Sequence, residues 1–440
     1  MTETSKTNGE KPAVLLLGNY RPTVVLARRL QERGFTVIAG LEGCGRVAEV
    51  SWYIDELWDH PSLAESPQRF LGDLDVLLSE RPDISCVFPV AEEFVRLFAE
   101  RQTQLPPSVQ LASVSADLVK TCLDKRAMME LCRDYGVPTA PFAYVRTLDA
   151  LFQEAMAIGF PLVIRPERST DRLGDLKALT VASIEELKVI FNTWPQTRNS
   201  PQPGLIIQKK AEGQRHNIYF TARSGALDGV LHSVIARTDR PDGSGLAVDG
   251  QIVRADRVLV DHVARFVERL SYDGVGCAQF LVDDVTGAIC FLEINPRVTG
   301  SHAVPDHCGL DIEAVLMKMA ESAGHEGAVP VDRGQAGLRY AWLAGDLEGL
   351  KVSLRRGDLS VGAALSWLGN AARTVWRSDM DMMLNWRDPL PGVATLLDIL
   401  PGIGHLTRSR RLWRVLVRKP TIGCGDSAVE SSLEPVTHEA

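Results

Sequence analysis

The sequence lacks several features that define whole classes of protein. No stretch of its 440 residues approaches the roughly 20 apolar residues that a membrane-spanning helix needs. The eight cysteines are scattered, with no C-x-x-C pair and no His/Cys spacing typical of zinc sites. The polar N-terminus lacks the apolar segment of a signal peptide, so we expect a cytoplasmic protein with reduced thiols.

Positive charge is also scarce. Lys and Arg number 48 against 56 Asp and Glu, which gives a formal net charge of −8. Because a nucleic-acid partner requires a broad basic surface that neutralises phosphates, this balance argues against nucleic acid. At 440 residues, the chain is longer than a domain with a single hydrophobic core usually is, so we expect about three domains.

The first hundred residues alternate between strand-like and helix-like patterns. The apolar run at 13–17 is followed by a turn at Gly18, a helix at 23–33 and a second strand at 35–39. A later strand at 86–90 is again followed by a helix, so we predict a parallel sheet flanked by helices. The G-x-G-x-x-G spacing that brings a backbone close to pyrophosphate is absent, which argues against a dinucleotide-binding enzyme.

The most informative segment is an apolar run that carries Glu293 and Asn295, entered through a Thr-Gly turn and closed by a proline. A strand is predicted there, and alternation places both side chains on one face. If the preceding strand folds back, Gln279 lies beside them as a third oxygen ligand. Oxygen donors suit Mg²⁺ or Mn²⁺, and Arg297 suits phosphate. A core strand with a surface glutamate is the alternative.

These residues resemble a known family. Gln279, followed by Glu-Ile-Asn-Pro-Arg at 293–297, resembles the metal-binding hairpin of the ATP-grasp superfamily, particularly its carbamoyl-phosphate-synthase-like carboxylate–amine ligase branch. The resemblance covers about residues 12 to 325. It implies an α/β (α+β) fold in which a Rossmann-like pre-ATP-grasp domain precedes a two-part ATP-grasp domain. The expected division is a disordered arm (1–12), the pre-ATP-grasp domain (13–115), the ATP-grasp domain (116–325, lid about 140–210), a C-terminal helical appendage (326–420) and a disordered tail (421–440).

The resemblance also implies contacts to the phosphates of ATP. The family's basic residue before a helix corresponds to Lys125, and the cation that ends its lid strand corresponds to Arg165. A structural salt bridge is the alternative role of Arg165. The following loop keeps only Gly174, whereas most members have a run of glycines there. Side-chain charge, including that of Lys177, is expected to offset this loss of close backbone approach.

The adenosine contacts are implied at the hinge between the two halves of the ATP-grasp domain. Gln208, Lys209 and Ala211 occupy the segment whose backbone usually binds adenine. Acidic residues for the ribose hydroxyls are typical of the family at the start of the hinge and after its glycine. This chain has Lys209 and His216 in that region instead. An ordinary partly buried histidine is the alternative reading of His216.

Two arginines are the expected catalytic residues. Arg297 is predicted to stabilise the transferred phosphoryl group and the tetrahedral intermediate. Arg237, which precedes a Gly-rich loop, is predicted to contact substrate together with His232. Glu92 and Glu93 follow a strand of the first domain and are candidate amine-binding groups by position, although a solvated helix start explains them equally well.

The implied function is an ATP-dependent ligase that joins a small-molecule carboxylate to an amine through an acyl phosphate. No nucleophilic triad is required for such phosphoryl transfer and none is seen. Two alternatives stay open: an enzyme that phosphorylates bicarbonate or carbamate, and a catalytically silent nucleotide- or metabolite-binding protein. A homodimer also stays open. The basic segment 406–419 suits an acidic membrane surface or partner, or a solvated helix end.

Overall fold

Three β-sheets with flanking helices build the protein, as the predicted α/β class requires. The computed structural model describes residues 11–42, 47–101, 105–167, 173, 178–192, 204–318, 331–400 and 419–422. No helix in these ranges is both long and apolar enough to cross a membrane.

The first unit is a parallel sheet. Its elements are β1 (Ala13–Leu17), α1 (Arg21–Glu32), β2 (Thr36–Glu42), β3 (Glu56–His60), α2 (Pro67–Glu80), β4 (Ile84–Pro89), α3 (Glu92–Arg101) and β5 (Gln110–Leu111). The central strand β1 is buried along its whole length, as an uninterrupted apolar run in a parallel sheet should be. β1 and β4 are neighbours, so the turns that start α1 and α3 meet at one edge.

That edge is tightly built around Gly18. This glycine has a φ of +120°, and a Cβ there would lie 2.7 Å from the Cβ of Ala91. The two turns can therefore approach each other only because position 18 has no side chain. Ligands of open α/β sheets bind at such carboxyl edges. The turns place Tyr20 and Glu92 at this edge, where residues from later in the chain can contact them.

A small antiparallel sheet, the predicted lid, follows two helices. The elements are α4 (Ala116–Leu123), α5 (Lys125–Tyr135), β6 (Phe142–Val145), α6 (Leu148–Ile158), β7 (Leu162–Pro166), β8 (Leu179–Val181), α7 (Ile184–Asn192) and β9 (Leu205–Lys209). The strand order is β6-β9-β7-β8. α4 and α5 are separate helices because Asp124 between them is extended (φ −84°, ψ 101°). Its side chain caps α5 by accepting from the Ala127 N–H at 3.0 Å.

A larger, mostly antiparallel sheet follows the lid. It contains β10 (Gln214–Arg223), β11 (Ala226–Thr238), β12 (Ala247–Val253), α8 (Arg257–Arg269), β13 (Gly274–Val282), β14 (Ile289–Asn295), α9 (Ala303–His307), α10 (Ile312–Leu316) and β15 (Val331–Asp332). The strand order is β14-β13-β10-β11-β12. The amphipathic helix α8 buries Val263 and Phe266 in the core that includes Phe280 and Phe291.

The last part of the chain joins the preceding sheets. It contains β16 (Arg339–Ala341), α11 (Leu343–Arg356), α12 (Val361–Arg377), β17 (Met380–Asp381), α13 (Pro389–Ile399) and β18 (Thr421–Ile422). β16 pairs with β12 and β17, and β18 pairs with β3 of the first sheet. The expected helical appendage thus contributes strands, and the tail predicted as disordered from 421 begins with two strand residues. Residues 406–418 and 423–440 lie outside the described ranges.

Candidate active site

The hairpin of β13 and β14 presents its polar residues on one face because of a β-bulge. Gln279 pairs with Glu293, but Phe280 pairs with Phe291, so Leu292 is an extra residue in β14. The bulge lets Phe291 and Ile294 both enter the core, while Glu293 and Asn295 remain partly exposed. Simple alternation would have put Phe291 on the face of Glu293. The three predicted metal ligands are therefore brought together by an irregularity that the sequence pattern did not predict.

Asn217 is a polar member of this face that the sequence interpretation missed. It lies on β10 directly opposite Gln279, so Asn217, Gln279 and Glu293 form a row across three neighbouring strands. Asn217 is buried, and its Oδ1 atom has no hydrogen-bond partner. The signal was available: an amide at the start of an otherwise apolar run is as unusual as the glutamate in β14.

The oxygen donors of this face suit an ion that is shared with phosphates. The side-chain amide of Asn295 donates to Oε1 of Glu293 at 2.8 Å. Within the described ranges, no three His, Cys, Asp or Glu side chains cluster in a metal-binding arrangement. One carboxylate with carboxamide oxygens is too few ligands for an all-protein cage, but it fits Mg²⁺, which commonly takes one or two carboxylates and substrate phosphates. The orphaned Oδ1 of Asn217 adds a fourth oxygen to this set.

Arg165 faces this hairpin from the lid. It occupies β7 opposite Ile206 of β9, and its Nη2 donates to Oε1 of Gln208. The Nε atom is buried without a partner. Burial lowers the pKa of Arg165, and the nearby Glu293 carboxylate opposes that shift. Its hydrogen-bonding partner is a neutral amide, so a phosphate in the space between lid and hairpin would supply the missing anion.

Lys125 is the first residue of α5, one helical turn before Met129. Residues four apart share a helix face, and the sulfur of Met129 accepts from Nε2 of Gln208 at 3.7 Å. Lys125 thus shares a helix face with a residue that contacts the lid, and its phosphate contact stays a prediction.

Arg297 leaves the hairpin toward the first unit. Its Nη2 donates to Oε2 of Glu92 at 2.7 Å and its Nη1 to the carbonyl of Val298 at 3.1 Å. Burial opposes the charge of Arg297, but nearby Tyr20 and Glu92 more than offset it, and its pKa is raised. The carboxylate considered for amine binding is thus in contact with the predicted catalytic arginine. Nε of Arg297 is buried without a partner and remains available to an anionic ligand.

The hinge side chains are occupied by contacts within the lid. The ammonium of Lys209 donates to the carbonyls of Gly159, at 3.3 Å, and Phe160. The backbone N–H groups of Lys209 and Lys210 donate to the carbonyls of Pro141 and Pro161. Any adenine contact from this segment must therefore use its carbonyls or the backbone around Ala211.

His216 does not join the oxygen-rich face. Its neighbour Asn217 points to that face, so His216 projects from the opposite side of β10, where its Nδ1 lies 2.9 Å from Nε2 of His232. The backbone N–H of Asp256, the N-cap of α8, donates to Nδ1 of His232. This donor fixes the tautomers: His232 carries its proton on Nε2 and donates to His216. Burial lowers the pKa of His232 to about 4 and also lowers the pKa of His216.

Arg237 is likewise held by contacts away from the face. Its Nη1 donates to Oδ1 of Asp346 at 3.2 Å, and its Nη2 pairs with the other oxygen of that carboxylate. Nη2 also donates to Oγ1 of Thr374 at 3.2 Å. Asp346 is only 2 % exposed, so this bidentate pair joins β11 to α11 and α12. This pair gives Arg237 a structural role, and its substrate contact stays a prediction. Lys177 and most of its loop lie outside the described ranges.

Comparison with known proteins agrees with this geometry. The family model described as "Carbamoyl-phosphate synthase L chain, ATP binding domain" matches residues 253–326, which contain the hairpin. This matched segment, 74 of the 440 residues, resembles an ATP-grasp domain. Among solved structures, the fold is similar to that of a biotin carboxylase from Campylobacter jejuni, with a TM-score of 0.56, 17 % identity, and coverage of 75 % of this chain and 74 % of that one.

Two curated relatives differ in how much of their length is matched. The carbamoyl phosphate synthase large chain of Clavibacter sepedonicus is 24 % identical over 306 residues, which cover 67 % of this chain and 27 % of that protein. The formate-dependent phosphoribosylglycinamide formyltransferase of Ignicoccus hospitalis is 22 % identical over 345 residues, or 74 % and 77 % of the two chains. This chain therefore spans about a quarter of the synthase it matches.

Proposed function

We propose that the protein is an ATP-dependent ligase that joins a carboxylate to an amine and releases ADP and phosphate. The observation that carries the proposal is the convergence of three elements. The hairpin supplies Glu293 and Asn295 beside Gln279, the lid supplies a half-buried Arg165 that lacks an anionic hydrogen-bond partner, and Arg297 follows the hairpin. Oxygen ligands for a cation thus face guanidinium groups for phosphates across one space.

The residues divide the work in the proposed reaction. A bound Mg²⁺ or Mn²⁺, held by Gln279, Glu293 and Asn295, would draw charge from the phosphates of ATP. Arg165 and Lys125 neutralise the remaining phosphate charge and orient the γ-phosphoryl group for in-line attack by a carboxylate oxygen, which forms an acyl phosphate and ADP. The amine then adds to the acyl carbon, loses a proton to solvent and expels phosphate. Arg297 stabilises the oxyanion of that intermediate.

A screen of ADP release tests this proposal. Purified full-length protein is incubated with ATP, Mg²⁺ and pairs of carboxylic acids and amines. Release that requires both partners supports ligation. Glu293→Gln is expected to lower kcat/KM by roughly 10²-fold or more. Asp284→Asn is the matched control, because Asp284 is an exposed carboxylate in the turn of the same hairpin. ADP binding without turnover for any pair would favour a silent nucleotide-binding protein instead.

A second candidate function is phosphorylation of bicarbonate or carbamate. It is favoured by the carbamoyl-phosphate-synthase match at 253–326. A biotin carboxylase domain of Hydrogenobacter thermophilus with 17 % identity has also been solved as a dimer with MgADP and bicarbonate. ADP release driven by bicarbonate alone, with no organic acid, would select this alternative. That domain also motivates our proposal of a homodimer, which sedimentation analysis would test.

We further propose that the protein acts on small molecules in the cytoplasm, without nucleic acid as a partner. Six cysteines in the described ranges have free, buried thiols. The negative net charge supports the exclusion of nucleic acid. Thiol titration of the unfolded protein under non-reducing conditions should find these cysteines reduced.

A further inference from the structure

A cavity of about 680 Å³ lies beside the first turns of α1, away from the lid. Its walls are α1, α9 and the segment 378–393 that surrounds β17. They are mostly apolar, with Val24, Val25, Met380, Met382 and Val393 among the lining residues. Its volume is that of a small-molecule site, and such sites combine an apolar lining with a few placed polar groups.

Arg21 is the polar group that distinguishes this cavity. It is only 8 % exposed, and its Cζ lies 3.3 Å from the centroid of the Trp342 ring, so the guanidinium stacks on the indole. Its Nη1 atom is buried without a hydrogen-bond partner. No described residue forms an ion pair with it. Burial lowers the pKa of Arg21 to about 10, although Tyr20, Asp381, Asp239 and Tyr219 act against this shift from a distance.

The other charges that line the cavity are already engaged. Arg28 pairs with Asp306. Asp381 accepts from the backbone N–H groups of Met383 and Leu384, each at 2.8 Å. Asp388 accepts from the N–H of Trp52 at 3.0 Å. Asp379 accepts from the N–H of Arg339 at 2.8 Å. Of the two arginines that line the cavity, Arg21 is thus the one without an ion-pair partner among the described residues, so an anionic ligand at its guanidinium would lower the cost of burying it.

Arg21 also adjoins the segment that follows the catalytic hairpin. A Cβ at Gly300 would lie 2.9 Å from Nη2 of Arg21, so the glycine makes room for the guanidinium. Gly300 is three residues beyond Arg297. The next residue, Ser301, hydrogen-bonds Tyr219 of β10 at 2.7 Å. Arg21 thus lines the cavity and lies against the segment that begins three residues beyond Arg297.

We propose that this cavity binds a carboxylate with an apolar body and that Arg21 binds its carboxylate group. The assignment of that molecule as the acid substrate rests on the function proposed above. The apolar body lies among the valines and methionines, where burial of its surface supplies the affinity. Guanidinium and carboxylate are geometrically matched for two parallel hydrogen bonds, which makes the site selective for an acid over its amide.

Isothermal titration of the full chain with 4-phenylbutyrate, without ATP, tests the site. We expect binding of the carboxylate and at least about tenfold weaker binding of 4-phenylbutyramide, which lacks the charge. Arg21→Met keeps an unbranched apolar stem against Trp342 and should weaken 4-phenylbutyrate by at least about tenfold. Arg387→Met removes an exposed arginine close to the cavity and should leave affinity unchanged.

A second variant keeps the site testable if Arg21→Met does not fold. Val393→Trp starts from a residue of α13 that is 41 % exposed and extends a ring into the cavity. This variant should bind 4-phenylbutyrate more weakly. Its remaining binding should still favour the acid over the amide, because Arg21 is intact. Thermal unfolding of each variant shows whether its fold is retained.

Equal affinity for acid and amide, or unchanged affinity in a folded Arg21→Met variant, would overturn the proposal. So would preferential binding of phenyl phosphate, which would identify the site as one for phosphorylated ligands. The titration needs no turnover, so the carboxylate site and the ligase function can be refuted independently. Arg21-dependent binding without acid-dependent ADP release refutes ligation alone, and ligation that is unaffected by Arg21→Met refutes this site alone.

Discussion

Nη2 of Arg297 and Oε2 of Glu92 are 2.7 Å apart, although 205 residues separate them in the sequence. The contact joins the segment after the β13–β14 hairpin to the first residue of α3, at the carboxyl edge of the first sheet. The orientation of the proposed catalytic arginine is therefore set by the unit that contains the first sheet.

Glu92→Ala is expected to lower kcat by roughly 10²-fold with a smaller change in KM for ATP, because a misplaced guanidinium no longer meets the charge that develops in the reaction. Steady-state ADP release measures the effect. Glu100→Ala removes an exposed carboxylate near the other end of α3 and serves as the control. Equal losses in both variants would show that Glu92 has no special role in positioning Arg297.

Arg165→Met is expected to weaken ADP binding by about ten- to a hundredfold, equivalent to about 1.5–3 kcal/mol for a charged hydrogen bond. The reason is that the guanidinium is buried with only a neutral amide as its hydrogen-bond partner. Calorimetric titration with ADP and Mg²⁺ gives the dissociation constants. Arg146→Met, which changes an exposed arginine of the same lid, should retain the original affinity. If both variants bind equally, phosphate does not contact Arg165.

Arg237→Met should destabilise the fold by about 3–5 kcal/mol, since it leaves the buried Asp346 carboxylate without its partner. The midpoint of urea unfolding measures this loss. Arg240→Met, at an exposed position three residues later, should have little effect. Arg237→Met also tests the predicted substrate contact. At a temperature where the variant is folded, KM for the acid and for the amine should be unchanged. A large increase in either KM would support a contact between Arg237 and substrate.

His232 should make the protein less stable in acid. Its pKa is about 4 when folded against an ordinary value of 6.5, so between these values the unfolded state binds more protons. The stability contributed by neutral His232 is complete above about pH 6.5 and falls as pH decreases toward 4. Between pH 7 and pH 5 the loss is about 2 kcal/mol. His232→Gln keeps polar atoms but cannot titrate in this range, so urea unfolding at both pH values should show a flatter dependence. Parallel curves would contradict the assignment.

The sequence predicted the parts of the site that are close together along the chain. Gln279, Glu293 and Asn295 were found because polar residues are unusual in apolar strands, and the hairpin places them side by side. The ion pair of Arg237 could not be predicted, because its partner Asp346 is 109 residues away and no local pattern indicates such a pair. His216 was assigned to the nucleotide by its distance from the hinge, but strand alternation turns it toward α8. Arg21 carried no signal, since its burial depends on Trp342, from the last third of the chain.

The single extra residue in β14 decides which face of the strand each later side chain occupies. Before Leu292, Phe291 points into the core. After Leu292 the alternation is shifted by one residue, so Ile294 points into the core and Glu293 points to the polar face. A deletion of Leu292 would remove the bulge and leave the faces as they are, because Phe291, Glu293 and Ile294 would then alternate regularly and Glu293 would stay opposite Gln279. We therefore expect the deletion to preserve the proposed cation binding. Insertion of one residue between Glu293 and Asn295 would turn Asn295 to the core face, and calorimetric titration with Mg²⁺ should then show weaker binding.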